Sequence, residues 1–536
     1  MKSWRHLAIL GLFLLAGLIA YSNVINSWFL SDDFAQIGKV LNGERSVVWG
    51  REYGGFFRPL FILSYLIDTK IWGARPFGFH LTNVLVHSLN AFLVYILSLR
   101  AVAELRLTTS TKKMLSIGAG ALFLLHPSHT EAVSWISGRA DVLATCFCLA
   151  SLLFYLAYSE SKRTSQLALS LLSFIVGLMA KESAICLPFL IVAMGLLIVP
   201  RREGRTNPRR RLTVFSLYFS LLLAFVLVRY FFIGALVGGY GASQHLNFSP
   251  RWLRDRLLEA FVRSVLPVLP SQLSQFLFKP LQSRAFILFS LACLGLVAGV
   301  ILLRRHRYGP AERREQNRFL SAVAILFLFS LLPVINLRLS LYQTLGERFL
   351  YLPTVFSCLL ITYLAAILIR KQVLWISILI CVLGFYSVRL YQTNRSWSEA
   401  AQLSRSIADE LVDSATSDRL MVLNLPDNLR GVPVFHNGLP EALSYFQNRR
   451  RFTQIDIIAF QDLQSSGDEA SLSSGTESLD LHLLNDNDSL VRMQSLECWE
   501  TMTHARTFLK VRSQLCAADE DVFFFSKGSM TRLTER

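Results

Sequence analysis

The chain has 536 residues, of which 53% are hydrophobic and only 17% are charged, and its mean hydropathy is +0.42. A soluble domain carries about 25% charged residues, so the composition argues against a wholly soluble protein. The formal net charge of +17 would suit a nucleic-acid partner, but its distribution does not. Before Leu390 there are 40 basic and 16 acidic residues, whereas from that residue onward there are 14 basic and 21 acidic ones. We therefore expect membrane lipids and no nucleic acid as partners.

Apolar stretches long enough to cross about 30 Å of hydrocarbon recur before residue 390. They predict about eleven membrane spans, at 7–25, 81–99, 114–131, 142–158, 166–180, 184–199, 212–234, 284–303, 319–335, 349–369 and 372–389. Short loops between them carry arginine clusters at Arg201–Arg211 and Arg304–Arg318, and such clusters favour the cytoplasmic side. We expect an integral membrane protein of the inner or plasma membrane with a cytoplasmic N-terminus. A cleaved signal peptide at Met1–Ala20 is the alternative, although no clear cleavage site follows it.

Residues 391–536 lose the apolar character and predict a small extracytoplasmic α/β domain after the transmembrane domain 1–390. Its predicted strands are the apolar runs at 419–425, 455–460, 479–484 and 522–525. Its predicted helices are the segments 396–412 and 498–510. The turn-forming runs 426–433 and 436–440 are either structural turns or part of a surface that contacts the acceptor. Cys498 and Cys516 are the two cysteines of this part, and their spacing leaves a disulfide open.

Unusual polar residues gather in the loops that the predicted topology places outside. Two adjacent carboxylates, Asp32 and Asp33, follow the first span. Such a pair suits base catalysis on a hydroxyl or binding of a divalent cation, and the alternative is that one of them caps a helix. The segment 60–72 is apolar but too short to span, and predicts an interfacial helix.

Polar side chains also lie within predicted spans. His80, Asn83, His87 and Asn90 share one face of a helix, which indicates either hydrogen bonds between helices or a ligand cavity. His126, His129 and Glu131 lie at the end of the next span, but their spacing matches no structural zinc pattern. We therefore predict no metal site and no required cofactor, with a divalent cation left open.

Charged residues interrupt apolar segments at Lys181-Glu182 and Glu347-Arg348, where isolated charges would be costly to bury. Lysine and arginine near the interface suit contacts with the phosphate of a lipid carrier. Arg139 and Asp141 begin another span and are spaced to form a buried pair.

These motifs resemble the GT-C glycosyltransferases, and most closely the membrane half of the transmembrane-and-TPR-containing O-mannosyltransferases. More distantly they are similar to the protein O-mannosyltransferases. The resembling stretches occur in family order at Ser31–Asp33, Phe57–Leu60, Gly78–His87, His126-Pro127 with Glu131–Val133, Gly138–Asp141, Lys181-Glu182 and Gly346–Pro353. The resemblance implies a catalytic aspartate in the first outer loop and a polyprenyl-phosphate sugar as donor. No repeat of TPR type is recognisable after residue 390, which leaves the acceptor open.

The sequence thus predicts an inverting membrane glycosyltransferase acting on a hydroxyl of a protein, lipid or glycan. Its catalytic residue is expected to be Asp32 or Asp33. The predicted contacts to the donor phosphate are Arg348, Lys181, Arg58 and Arg139. Supporting polar residues are predicted at His80, Asn83, His87, His126, His129, Glu131, Asp141, Glu182, Glu347 and Tyr351. A flippase for lipid-linked glycans and a non-catalytic scaffold are the alternatives.

Overall fold

The computed structural model describes residues 3–44, 56–199, 208–234, 247, 249–268, 309–337, 339–340, 343–369, 371–447, 452–474, 478–485, 488–493, 499–505, 507–513 and 520–533. Helices dominate these residues up to Ser414, and strands dominate the remainder. The predicted span 284–303 and both Cys498 and Cys516 lie outside the described residues.

The α-helices of the first part are α1 (Ser3–Ala20), α2 (Asp32–Leu41), α3 (Pro59–Trp72), α4 (Pro76–Ala101), α5 (Thr109–Leu124), α6 (Thr130–Val133), α7 (Arg139–Ser161), α8 (Thr164–Ala180), α9 (Leu187–Leu197), α10 (Pro208–Ile233), α11 (Pro250–Arg263), α12 (Pro310–Leu331), α13 (Pro353–Leu368) and α14 (Gln372–Ser414). Short 3-10 turns lie at Pro127–His129, Ile136–Gly138, Glu182–Cys186 and Glu347–Leu350. Each predicted span within the described residues overlaps one of these helices. The predicted interfacial segment 60–72 is α3.

Among the described residues, four helical segments are long and apolar enough to cross a membrane, namely Pro76–Ala101, Ile136–Ser161, Pro208–Ile233 and Gln372–Ser414. Four shorter apolar helices accompany them, namely Trp4–Ala20, Thr164–Ala180, Glu182–Leu197 and Pro353–Leu368. The chain is therefore a polytopic α-helical membrane protein. The number of eleven spans stays a prediction.

Helix α14 joins the two parts of the chain without a break at residue 390, because it runs continuously from Gln372 to Ser414. At 1.5 Å per residue its 43 residues extend over about 65 Å, twice the thickness of the hydrocarbon. One face of its second half is buried against the strands and against loops of the membrane half, where Trp397 stacks on Trp135 with ring centroids 6.3 Å apart. The strands are thus held against the membrane half by a rigid helix.

The second part of the chain, from residue 415 onward, is the strand part, and its described residues form two sheets. Its strands are β1 (Arg419–Leu429), β2 (Val432–Pro433), β3 (Gln454–Leu463), β4 (Ala470–Ser474), β5 (Ser478–Leu483), β6 (Ser489–Met493), β7 (Trp499–Ala505), β8 (Phe508–Ser513), β9 (Asp521–Ser526) and β10 (Ser529–Arg532). The larger sheet has the order β10-β9-β1-β3-β6, with β2 paired to β1, and β1 is parallel to both β3 and β9. The smaller sheet, β4-β5-β8-β7, is antiparallel.

Each of the four apolar runs expected to form strands overlaps a strand, but the predicted helix at 498–510 is wrong. That segment forms β7 and β8, which pair with each other, and β8 also pairs with β5. The central strand β1 is almost entirely buried and ends in a turn at Arg430 and Gly431. That end of the larger sheet faces loops of the membrane half.

Candidate active site

A cavity of about 880 Å³ lies where the helical part meets the larger sheet. Its lining comes from α2, α3 and loops of the membrane half on one side, and from the ends of β1 and β3 and the segment 431–441 on the other. Six of the predicted site residues line it, and they come from distant positions along the chain: Asp32, Arg58, Glu131, Asp141, Lys181 and Arg348. The structure therefore brings the carboxylate of Asp32 and three of the predicted cationic side chains to one cavity.

The two adjacent aspartates have different surroundings. Asp33 is buried, and its carboxylate accepts hydrogen bonds from the backbone N–H of Leu30 and from the backbone and hydroxyl of Ser137. Burial raises the pKa of Asp33 to about 7, against the opposing effect of these hydrogen bonds. Asp32 instead lines the cavity, and its Oδ1 accepts one hydrogen bond from Asn437 Nδ2 at 2.8 Å. This geometry favours Asp32 for contact with a substrate and Asp33 for holding the loop at Ser137.

The backbone before Asp32 is in a conformation that L-residues rarely adopt, because Ser31 has φ 49° and ψ −115°. The strand part holds it there: Ser31 N–H donates to the carbonyl of Val434 at 2.9 Å. One helical turn further on, Phe34 stacks on Phe435 with ring centroids 5.6 Å apart and the planes at 15°. The position of Asp32 is thus set by contacts with residues some 400 positions later in the chain.

The three predicted phosphate-binding cations of the cavity are each paired with a carboxylate. Lys181 Nζ bonds to Asp141, and both side chains are almost fully buried. Arg58 donates from Nε and Nη2 to Glu182 at 3.0 and 2.8 Å.

Arg348 lies with its Nε 3.7 Å from Glu131, and its guanidinium is 4.7 Å from the ring centroid of Trp135. Its side chain keeps 20% exposure, and the neighbouring carboxylate and ring restrict where the guanidinium can move. Arginine in such a setting is preorganised for bidentate contacts to phosphate oxygens.

The other predicted polar residues lie behind the cavity in hydrogen-bonded contacts between helices. His87 contacts the Tyr351 hydroxyl at 2.7 Å, and Asn90 donates to the same hydroxyl at 3.1 Å. His80 contacts the carbonyl of Ser27, His126 that of Ser264, and His129 the hydroxyl of Thr354. The polar stripe on α4 therefore joins helices, which was one of its two predicted roles.

Arg139 is completely buried and pairs with Asp68 at 2.6 Å. It also donates to the side chain of Asn83 and the carbonyl of Phe79. The pairing of Arg139 with Asp141 suggested by their spacing is not formed, because Asp141 binds Lys181 instead. Glu347 is likewise buried and bonds to Arg263, so Arg139 and Glu347 both stabilise the surroundings of the cavity.

The strand part contributes cavity residues that the sequence did not single out. His436 Nδ1 lies 3.0 Å from Asp427, and that hydrogen bond raises the pKa of His436. Asp462 lies on the neighbouring strand, where burial and the charge of Asp427 raise its pKa to about 6. Only the turn-forming runs 426–433 and 436–440 pointed to this region. Among the residues that the structure describes, no group of three or more His, Cys, Asp and Glu is arranged to hold a metal ion.

Gly438 closes the contact between the strand part and α2. Its φ is +90°, and a Cβ there would lie 2.6 Å from the Ser31 carbonyl and 2.9 Å from Phe34 Cβ. We expect Gly438→Ala to lower the free energy of unfolding by about 2 kcal/mol or more and to lower activity. Gly43→Ala is the matched control, since Gly43 has φ +76° but a Cβ there would meet nothing within 4 Å. Thermal unfolding of both variants checks this, and equal losses would contradict a role for the contact.

No protein-family model matches the chain. Protein O-mannosyl-transferase Tmtc1 of Drosophila melanogaster is 33% identical over 208 residues, covering 35% of this chain and 22% of that protein. Protein O-mannosyl-transferase F38B6.6 of Caenorhabditis elegans is 24% identical over 389 residues, covering 66% of this chain and 50% of that protein. The oligosaccharyltransferase of Archaeoglobus fulgidus aligns with a TM-score of 0.42 and 12% identity, over 79% of this chain and 62% of that chain.

The matches thus span between about a fifth and a half of the length of these curated relatives. The relatives bear the name of the family whose motifs the sequence resembles. The resemblance of this chain to the family of transmembrane-and-TPR-containing O-mannosyltransferases is confirmed.

Proposed function

We propose that the chain is a glycosyltransferase that moves a sugar from a polyprenyl-phosphate carrier to a hydroxyl acceptor at the outer face of the membrane. The cavity is the observation that supports this proposal, because the open carboxylate of Asp32 lines it together with Arg58, Lys181 and Arg348. A hydroxyl nucleophile needs a base, and a phosphate leaving group needs positive charge. The similarity to protein O-mannosyl-transferases supports the same reaction class and makes mannose the first sugar to test.

The lining also suits a donor that arrives from lipid. Phe61, Ile62 and Leu345 line the cavity together with the three cations. Apolar side chains favour the polyprenyl chain, while the cations favour its phosphate. The acceptor then approaches from the side of the strand part, where His436 and Asp462 lie.

The proposed reaction is a single displacement with inversion. Asp32 removes the proton of the acceptor hydroxyl as its oxygen bonds to the anomeric carbon. The bond from that carbon to the phosphate oxygen breaks, and the carrier leaves as polyprenyl phosphate. Arg348, Lys181 and Arg58 stabilise the charge that develops on the phosphate. The proposed reaction requires no cofactor, and a part for a divalent cation is left open, which addition of a chelator tests.

The test is sugar transfer in proteoliposomes that contain the full-length chain. Polyprenyl-phosphate mannose and two other polyprenyl-phosphate sugars serve as donors, and an extract of host membranes serves as acceptor. We expect radiolabelled sugar to pass from one of these donors to acceptor, with inverted anomeric configuration. Movement of intact donor across the bilayer without transfer would instead support the flippase. The absence of both transfer and movement would support the scaffold.

Removing the Arg348 guanidinium should weaken donor binding. We expect Arg348→Ala to raise the KM for the polyprenyl-phosphate donor at least tenfold, which corresponds to about 1.4 kcal/mol. Arg395→Ala is the control, because Arg395 is exposed and pairs with Glu399 one turn away on α14. Initial rates measured at a series of donor concentrations give the donor KM of each variant. A changed KM for the acceptor with an unchanged donor KM would remove Arg348 from the phosphate site.

A further inference from the structure

The side chain of Asp32 has one hydrogen bond from the strand part of the chain and none from the membrane half among the described residues. The bond comes from Asn437 Nδ2 to Oδ1 at 2.8 Å. Oδ2 has no hydrogen-bond partner in that part of the chain, and Asp32 and Asn437 both line the cavity. One oxygen of the carboxylate is therefore held, and the other is open to a substrate.

Asn437 is itself held in place by its neighbours. Val434 and Phe435 before it are buried against α2, and Leu439 after it is buried as well. Gly438 allows the chain to pass within van der Waals contact of Ser31 and Phe34. The exposed pair His436 and Asn437 is consequently fixed between buried anchors and points away from the core.

We propose that Asn437 is a positioning residue for Asp32, and that the strand part thereby completes the catalytic site of the membrane half. The inference rests on the proposed function, in which Asp32 is the base. An amide is suited to this task, because it donates to a carboxylate without carrying charge. A lysine or arginine at the same place would pair with Asp32 and reduce its basicity. Since Nδ2 engages Oδ1, the open Oδ2 is directed at the acceptor hydroxyl.

Other charged groups surround Asp32 from every side of the cavity. Asp33 and Lys39 lie on its own helix, and His436 and Glu441 come from the strand part. Arg58, Arg348 and Lys181 also line the cavity, and each is paired with a carboxylate. None of these groups forms a hydrogen bond with Asp32 among the described residues, so a change at position 437 acts on the nearest polar contact of the carboxylate.

Two substitutions at Asn437 separate positioning from folding. Asn437→Ala should lower kcat between tenfold and a hundredfold while the donor KM changes less than twofold. Asn437→Asp keeps the shape of the side chain but places a second carboxylate at hydrogen-bond distance from Asp32, which disfavours its ionisation. The acidic limb of the pH–rate profile should then shift by at least one pH unit to higher pH. The matched control is Asn485→Asp, because Asn485 also donates to an aspartate, Asp468, at 2.9 Å but lies outside the cavity lining.

A second measurement needs no turnover. Carbodiimide with an amine nucleophile modifies protonated carboxyl groups, and mass spectrometry gives the pH midpoint of modification at Asp32. We expect that midpoint to rise by at least one pH unit in Asn437→Asp and to stay unchanged in Asn485→Asp. Unchanged midpoints in both variants would overturn the inference, as would an active wild type whose kcat survives Asn437→Ala. If the wild type transfers no sugar but Asn437→Asp still raises the midpoint of Asp32 modification, the proposed function is overturned and the positioning contact remains supported.

Discussion

Asp32→Asn is expected to lower the rate of sugar transfer about 10³-fold, within the range that removal of a general base produces. The asparagine has nearly the same shape, so the contacts of Ser31 and Phe34 with the strand part should persist. Oδ2 of Asp32 is the open oxygen in the cavity, and the amide that replaces the carboxylate cannot accept the proton of the acceptor. The KM for the donor should change little, because the donor phosphate is assigned to Arg348, Lys181 and Arg58.

Asp33→Asn is the matched comparison, since the two positions are adjacent and the substitution is the same. Three hydrogen-bond donors point at the Asp33 carboxylate. The amide NH2 of an asparagine there is itself a hydrogen-bond donor and would face at least one of them. The cost of one unsatisfied buried donor is about 1–3 kcal/mol, so we expect lower thermal stability with kcat reduced less than tenfold in the folded protein. Steady-state rates and unfolding temperatures of both variants distinguish the roles. The reverse pattern would assign the base to Asp33.

The helical framework was predictable because hydropathy measures the property that membrane insertion selects. The first residues of the apolar stretches 166–180 and 372–389 lie within two residues of the first residue of a helix in the structure. The continuation of the latter helix to Ser414 was less evident, since its second half is polar on one side and is buried by the strand part. Hydropathy alone does not record such packing.

The error at 498–510 has a physical cause. The segment contains residues such as Glu500, Ala505 and Lys510 that suit a helix when considered locally. In the structure, β7 and β8 pair with each other, and β8 extends the smaller sheet through β5. Strand propensity depends on neighbours in the sheet more than on local sequence, and these neighbours lie up to about 30 residues away.

The sequence identified the polar residues of the membrane half, but it could not separate the lining of the cavity from the layer behind it. A buried histidine that joins two helices, such as His87, and a cation that faces the cavity, such as Arg348, both interrupt an apolar pattern in the same way. The contribution of His436 and Asn437 was less accessible still. The hydrogen bond from Asn437 to Asp32 joins residues about 400 positions apart, and no local pattern reports a contact at that separation.

Arg139 is the residue for which sequence and structure suggest different roles, and its substitution should have the largest effect on stability. The sequence predicts a contact with the donor phosphate, whereas the structure buries Arg139 against Asp68, Asn83 and Phe79. Removing one member of a buried pair leaves the other charge uncompensated, at a cost of about 3–5 kcal/mol. We expect Arg139→Met to lower the unfolding temperature in detergent by several degrees more than Arg348→Ala does.

The double variant Arg139→Met with Asp68→Leu decides between the two roles. If Arg139 acts by pairing, the double variant removes both charges and should recover at least half of the lost stability, since apolar replacement of a buried pair is often neutral. Its donor KM should then lie within twofold of wild type. If Arg139 contacts the donor phosphate, stability is recovered but the donor KM stays raised at least tenfold. The geometry favours the first result, because the guanidinium of Arg139 is fully buried and does not line the cavity.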